Sequence, residues 1–341
     1  MSFVQSALGT TKGINYTNIF LMIMSAALAF VFPFHLFLFV YAVLGPLHYL
    51  TEMSWLERRK FFIEKKGDAW LYLLMAILLT IPAFNPGVKI AQYGVTFLVT
   101  SVFFTLIIFF VKNSVFKYIL TFIVFFASAK MGLDQHPDAF MWFGLLLPTI
   151  IHVCLFTGLF ILYGALKTKS GSGYLSLGVF ALCILSCFLF MPSAPAAPVS
   201  EHIQKTLVNF DVINRGLLLL FGLDSSVTDF NTAFQLAQIN LFTSPAAIAV
   251  ARFIAFAYTY HYLNWFSKTA VIKWHEVPKQ RMIWVVLLWI GSVVAYLIDY
   301  NIGFKVLFLF SMMHVLLEFP LNFVTIRGIG TEIRSLLTTK K

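Results

Sequence analysis

Apolar runs long enough to cross a bilayer recur along the whole of this chain. An α-helix rises 1.5 Å per residue, so roughly 20 apolar residues span a ~30 Å hydrocarbon core. Inside lipid every backbone N–H and C=O must be satisfied by the structure itself, which leaves helices or closed barrels. The runs here have helix length: 17–32, 34–51, 69–84, 90–111, 114–131, 139–166, 174–192, 245–267, 281–298 and 302–326. They predict an all-α fold, a polytopic transmembrane helical bundle of about ten spans, forming a single integral membrane domain over 1–341. Pro33 divides a first run that is too long for one helix, and a tight hairpin is expected there. Pro245 behind Ser244 reads as an N1 proline after an N-cap serine, a helix start.

Charge decides how the spans are oriented. Only 11% of residues are charged and 60% are hydrophobic, too little charge to cover a water-facing surface. The net +10 sits between apolar runs, so it reads as membrane orientation and not as a nucleic-acid surface. Arg58, Arg59, Lys60, Lys65 and Lys66 form one cluster, and Lys112 with Lys117 another. Lys167 with Lys169 follows, then Lys268, Lys273, Lys279 and Arg281, then Arg327, Arg334, Lys340 and Lys341. These alternate with connections that carry only Lys89, or Lys130 with Asp134 and Asp138, or Asp299. Ten spans with both termini cytoplasmic satisfy the positive-inside rule, and nine would break it. A multi-pass protein of the cell (inner) membrane is expected. The polar N-terminus up to Asn18 has no removable leader pattern.

One long external connection, 193–244, is expected to lie along the interface. Ile203, Leu207, Phe210, Leu217 and Phe221 fall close to one helical face, and another short helix is expected after Asp229. Cys154, Cys183 and Cys187 all lie in apolar runs and read as packing thiols. Lys305, near the external end of its span, is expected to snorkel.

The histidines are the residues that point to chemistry. His136, His202 and His275 fall in loops, and the stretch around Asp134 and Asp138 reads as a short polar loop. His35, His48, His152, His261 and His314 fall inside spans, where an ionisable group is costly and usually functional. Counted from the external ends, His48 lies about 21 Å in, His152 and His314 about 18 Å, and His261 about 24 Å. Those four therefore share a layer about 6 Å thick, whereas His35 stays near the outer surface. Glu52 follows His48 by four residues and Glu318 follows His314 by four, which puts each pair on one helix face. Imidazole with carboxylate ligates iron, manganese or zinc, or the acid orients the histidine. The plainer reading is that each histidine bonds a carbonyl or hydroxyl across helices.

Three segments carry a family likeness. Gly45-Pro46-Leu47-His48-Tyr49-Leu50-Thr51-Glu52 is similar to the Gly-Leu-Pro-His-Gly-x-x-Asp element of the bacterial membrane β-carotene dioxygenases that form retinal. Tyr260-His261-Tyr262-Leu263-Asn264, before Trp265, resembles their aromatic-rich helix, and Met313-His314-Val315-Leu316-Leu317-Glu318 resembles their final Pro-His helix. The resemblance implies a polytopic carotenoid dioxygenase that holds iron through His48 and His261, with His152 and His314 as weaker transfers.

The resulting expectation is a membrane-embedded, histidine-ligated metalloenzyme. Its metal ligands are His48, His152, His261 and His314, with Glu52 and Glu318 as catalytic acids. Non-haem Fe2+ is the expected cofactor. The partners are the bilayer, dioxygen and a lipophilic small-molecule substrate of isoprenoid or acyl type. The alternatives are a proton-coupled transporter using the intramembrane His and Glu, and a bis-histidine haem electron carrier.

Overall fold

The computed structural model describes residues 10–59, 66–85, 87–136, 139–191, 199–208, 210–223, 241–268 and 276–338. Among them there is no strand. The helices are α1 (Thr11–Val31), α2 (Pro33–Arg59), α3 (Lys66–Phe84), α4 (Gly94–Phe110), α5 (Ser114–Lys130) and α6 (Phe140–Thr168). They continue as α7 (Gly171–Leu189), α8 (Glu201–Leu207), α9 (Asp211–Phe221), α10 (Pro245–Ser267), α11 (Lys279–Ile298) and α12 (Tyr300–Thr338). Seven of the helical segments are long and apolar enough to cross a membrane: α1, α2, α4 with the turn before it, α6, α7, α11 and α12. Large apolar side chains such as Phe116, Phe122 and Phe126 on α5 and Leu287 and Leu297 on α11 stand exposed. Such surface suits lipid and not water. The chain is an all-α, polytopic membrane protein. Further spans at α3, α5 and α10, and cytoplasmic termini, are proposed from the charge pattern.

Local chemistry sets the helix ends. Thr10 caps α1 by accepting from the Gly13 N–H, and Asn113 caps α5 by accepting from Val115 and Phe116. The expected break at Pro33 occurs: Phe32 leaves helical geometry and α2 begins at the proline. α10 begins with Pro245 as expected, although Ser244 makes no side-chain cap bond. The carboxylate of Asp134 accepts from the Val95 and Thr96 N–H groups at 2.8 and 3.1 Å. It therefore closes the start of α4, the structural role of the polar loop.

The helices pack as two compact units. The first comprises Met1–Leu44, Thr149–Lys279 and Val324–Lys341. In it α10 packs on α1 and α7, α1 packs on α7, and α9 lies against α10. α10 is buried on every side, which explains why its apolar residues follow no stripe. Asn18 of α1 ties it in place: its Oδ1 accepts from Tyr260 Oη and Ser267 Oγ, each at 3.1 Å. α6 and α7 meet closely at Gly173, where a Cβ would sit 2.9 Å from the Ala165 Cα. The second unit comprises Gly45–Pro148 and Gln280–Phe323, and in it α4 packs on α3 and α5.

Four details depart from the sequence reading. Lys117 is not a loop charge; it lies inside α5, buried, with its Nζ 3.3 Å from Asp68 of α3. The segment expected to be external carries two helices and not one, α8 ending at Leu207 and α9 beginning at Asp211. Leu207, Phe210 and Leu217 are buried there, but Phe221 is exposed. Over Phe140–Phe156, α6 is wound as a π-helix, and Pro148 lies within that stretch. Lys305, His35, His136 and His202 are exposed, as expected. The helix expected after Asp229, and His275, Asp138, Lys60, Lys65 and Lys273, lie outside the described residues.

Candidate metal centre

α2 and α12 supply the cluster of the second unit. His48 and Glu52 stand one turn apart on α2, and the His48 Nε2 is 3.1 Å from the Glu52 Oε2. His314 of α12 faces the same oxygen, its Nε2 at 4.0 Å. The two rings meet edge-on, with centroids 5.2 Å apart and planes at 85°. All three residues are buried, at 1%, 2% and 5% exposure. Glu318, also buried, follows one turn along α12, with a carboxylate oxygen within 4.8 Å of a His314 ring nitrogen. Tyr49 packs a ring on His314 at 6.0 Å.

Hydrogen bonding aims the His314 ring. Its Nδ1 is 2.8 Å from the Ser311 carbonyl oxygen. A carbonyl only accepts, so Nδ1 carries the proton. In the neutral ring Nε2 then presents its lone pair toward the Glu52 carboxylate. Histidines that ligate metals are typically fixed in this way by a backbone carbonyl on the other nitrogen. Two bonds of ~2.0–2.1 Å to one ion hold their donor atoms no more than ~4.2 Å apart. The separations of 3.1 and 4.0 Å at Glu52 both fall inside that limit. A lone pair and a carboxylate facing each other across 4.0 Å in a buried site are an arrangement that a cation stabilises. The donor set therefore fits a metal ion.

The first unit brings together the other two histidines. His152, on the π-wound part of α6, and His261 of α10 have ring centroids 5.1 Å apart, and each offers a nitrogen within 4.8 Å of the other. The His261 Nδ1 lies 2.9 Å from the Thr157 Oγ1, a contact that fixes the ring. π-helical winding recurs at functional sites. His48, Glu52, His314 and Glu318 thus lie in the second unit and His152 with His261 in the first, and His35 is in neither cluster.

Sequence reasoning missed the groups that orient the rings. Ser311 acts through its backbone carbonyl, which no side-chain pattern reveals. Thr157 lies 104 positions from His261 in sequence, so no local pattern links the two.

No protein-family model, curated protein or solved structure matches the chain. The likeness to the β-carotene dioxygenases is therefore corrected. The architecture typical of that family is a β-propeller, and the described residues are all helical. The short motifs that carried the likeness also differ at telling positions. Pro46 and Leu47 are transposed, Tyr49 fills with a buried ring the place of a glycine, and Trp265 stands where a second histidine would be. Carotenoid cleavage and dioxygenase chemistry are withdrawn with the likeness.

Proposed function

We propose that this protein is a membrane metalloenzyme of the non-haem iron type, an oxygenase or hydroxylase acting on a lipophilic isoprenoid or acyl substrate. One observation carries the reading: two buried histidines and one carboxylate face a common point at ligand-bridging distances. Two histidines with one carboxylate and open positions form the donor set of non-haem Fe(II) oxygenases. His48, His314 and Glu52 would hold the ion, and when bound it would supply activation of dioxygen. His152 and His261 are proposed as further ligands.

The chain's own groups have separate tasks. The Ser311 carbonyl keeps the proton of His314 on Nδ1, and Thr157 holds the His261 ring. Glu318, within reach of His314, is proposed to hold or release a proton at its carboxylate. Burial of the cluster keeps water from it, and entry of an apolar substrate from the bilayer is part of the proposal. Against haem, the His48 and His314 ring centroids lie 5.2 Å apart and edge-on, which leaves no room for a macrocycle between them.

The test is product analysis. The Fe(II)-loaded protein in nanodiscs is given isoprenoid and acyl lipids under 18O-labelled dioxygen. The reading expects the heavy isotope in a lipid product, lost in Glu52→Ala. No label in any lipid, with full iron loading, would refute oxygenase chemistry.

A further inference from the structure

Three cations are buried among the described residues: Lys117, Arg215 and Arg252. Two of them have an acid, Asp68 for Lys117 and Asp211 for Arg215. Arg252 departs from that pattern. It lies on α10 of the first unit, about 10 Å along the helix from Pro245. Its guanidinium reaches the place where α1 and α7 end. The Cζ lies over the ring of Phe30, 4.5 Å from the centroid. Nη1 donates to the carbonyl of Phe190, the C-cap of α7, at 3.0 Å. The ring face and the helix end both favour a cation, so the group is fixed in place.

It is not neutralised there. No carboxylate bonds or pairs with Arg252 among the described residues. A charge buried without a counter-charge is costly, most of all inside a membrane. Access decides which nitrogen can meet a partner. Arg252 is 7% exposed. Its Nε is enclosed, whereas Nη2, which has no partner either, is not enclosed. One nitrogen of an uncompensated guanidinium therefore reaches the surface. That surface is apolar, because Val31 and Phe32 at the end of α1 and Leu189 and Phe190 at the end of α7 all stand exposed.

We propose that the surface beside Arg252 binds an anionic phospholipid. A phosphate oxygen of the headgroup accepts from Nη2, and the acyl chains lie against Val31, Phe32, Leu189 and Phe190. Arginine suits phosphate, and basic sites between membrane helices hold lipid headgroups in this way. A zwitterionic choline lipid is disfavoured, since its ammonium finds no acid at Arg252 among the described residues. The site uses none of the clustered histidines, so it stands whether or not a metal is bound.

The test uses the full chain in dodecyl maltoside with a phosphatidylglycerol photoprobe that carries a diazirine on one acyl chain. Unlabelled phosphatidylglycerol should compete about fivefold better than phosphatidylcholine, the ratio expected for one basic side chain. Labelled peptides should contain the end of α1 or of α7. Arg252→Gln should remove the preference. Lys305→Gln, which deletes an exposed charge, should keep it, and so separates the site from general attraction to a basic protein. If the Arg252 variant fails to fold, the wild-type comparison and the map of labelled peptides still decide. Equal competition by the two phospholipids, labelling away from the ends of α1 and α7, or a preference retained in Arg252→Gln would overturn the proposal. Oleate competing as well as phosphatidylglycerol would also overturn it, because a simple carboxylate would then replace the headgroup.

Discussion

Lys117→Met tests the packing of the second unit most sharply. The wild-type ammonium lies 3.3 and 3.5 Å from the two Asp68 carboxylate oxygens, and both side chains are 3% exposed. At an effective dielectric of 20, the attraction at 3.3 Å is about 5 kcal/mol. That attraction is offset by the cost of burying both charges, so the pair is close to neutral against an apolar replacement. Removing one partner is different, because it leaves a buried charge uncompensated, at a cost of about 3–5 kcal/mol. Lys117→Met should therefore lose about 3–5 kcal/mol, and Asp68→Leu a similar amount. The double variant should return to within about 1–2 kcal/mol of wild type, since neither charge is then left alone. Equilibrium unfolding in mixed micelles, run as a double-mutant cycle, measures the coupling. A Lys117→Met variant within about 0.5 kcal/mol of wild type would show that water reaches the pair, and so refute the buried geometry; that threshold matches the usual effect of a surface substitution.

Three other outcomes follow from individual side chains. Asn322, 1% exposed on α12, has no hydrogen bond at either amide atom among the described residues, so Asn322→Leu should stabilise by roughly 1 kcal/mol in the same assay; a loss would mean that the amide has a partner. Gly173→Leu should cost about 1–3 kcal/mol or more, because the first added carbon already meets backbone 2.9 Å away at Ala165; unchanged stability would mean that α6 and α7 are farther apart. For topology, a cysteine at 202 should react with an impermeant thiol reagent from outside, and one at 279 should not. Labelling of both from one side would end the ten-span map.

Much of the fold was legible because lipid leaves few choices. Run length and hydropathy located the helices, and Pro33 and Pro245 marked boundaries through rules that act within a few residues. The separation of exposed His35 from buried His48 also followed from position alone. Pairings between distant segments were not legible. Lys117 looked like a topology charge because its partner, Asp68, is 49 residues away. The facing of His314 toward Glu52 depends on how α2 and α12 pack, which no periodicity encodes. The π-winding around His152 is a backbone adjustment without a distinctive residue pattern. The family likeness misled because a few short motifs of common residue types can recur without common ancestry.

The central claim, a metal held by His48, Glu52 and His314, is tested most directly by metal content. Each variant is purified in detergent, loaded anaerobically with Fe(II), desalted, and assayed by mass spectrometry for metal per mole of folded protein. His48→Ala, Glu52→Ala and His314→Ala should lose most of the ion, while His35→Ala should match wild type. If His261→Ala loses the same ion, the four histidines form one centre; if it loses a second, separate ion, they form two. Full occupancy in His314→Ala and Glu52→Ala, equal to that of His35→Ala, would contradict the account.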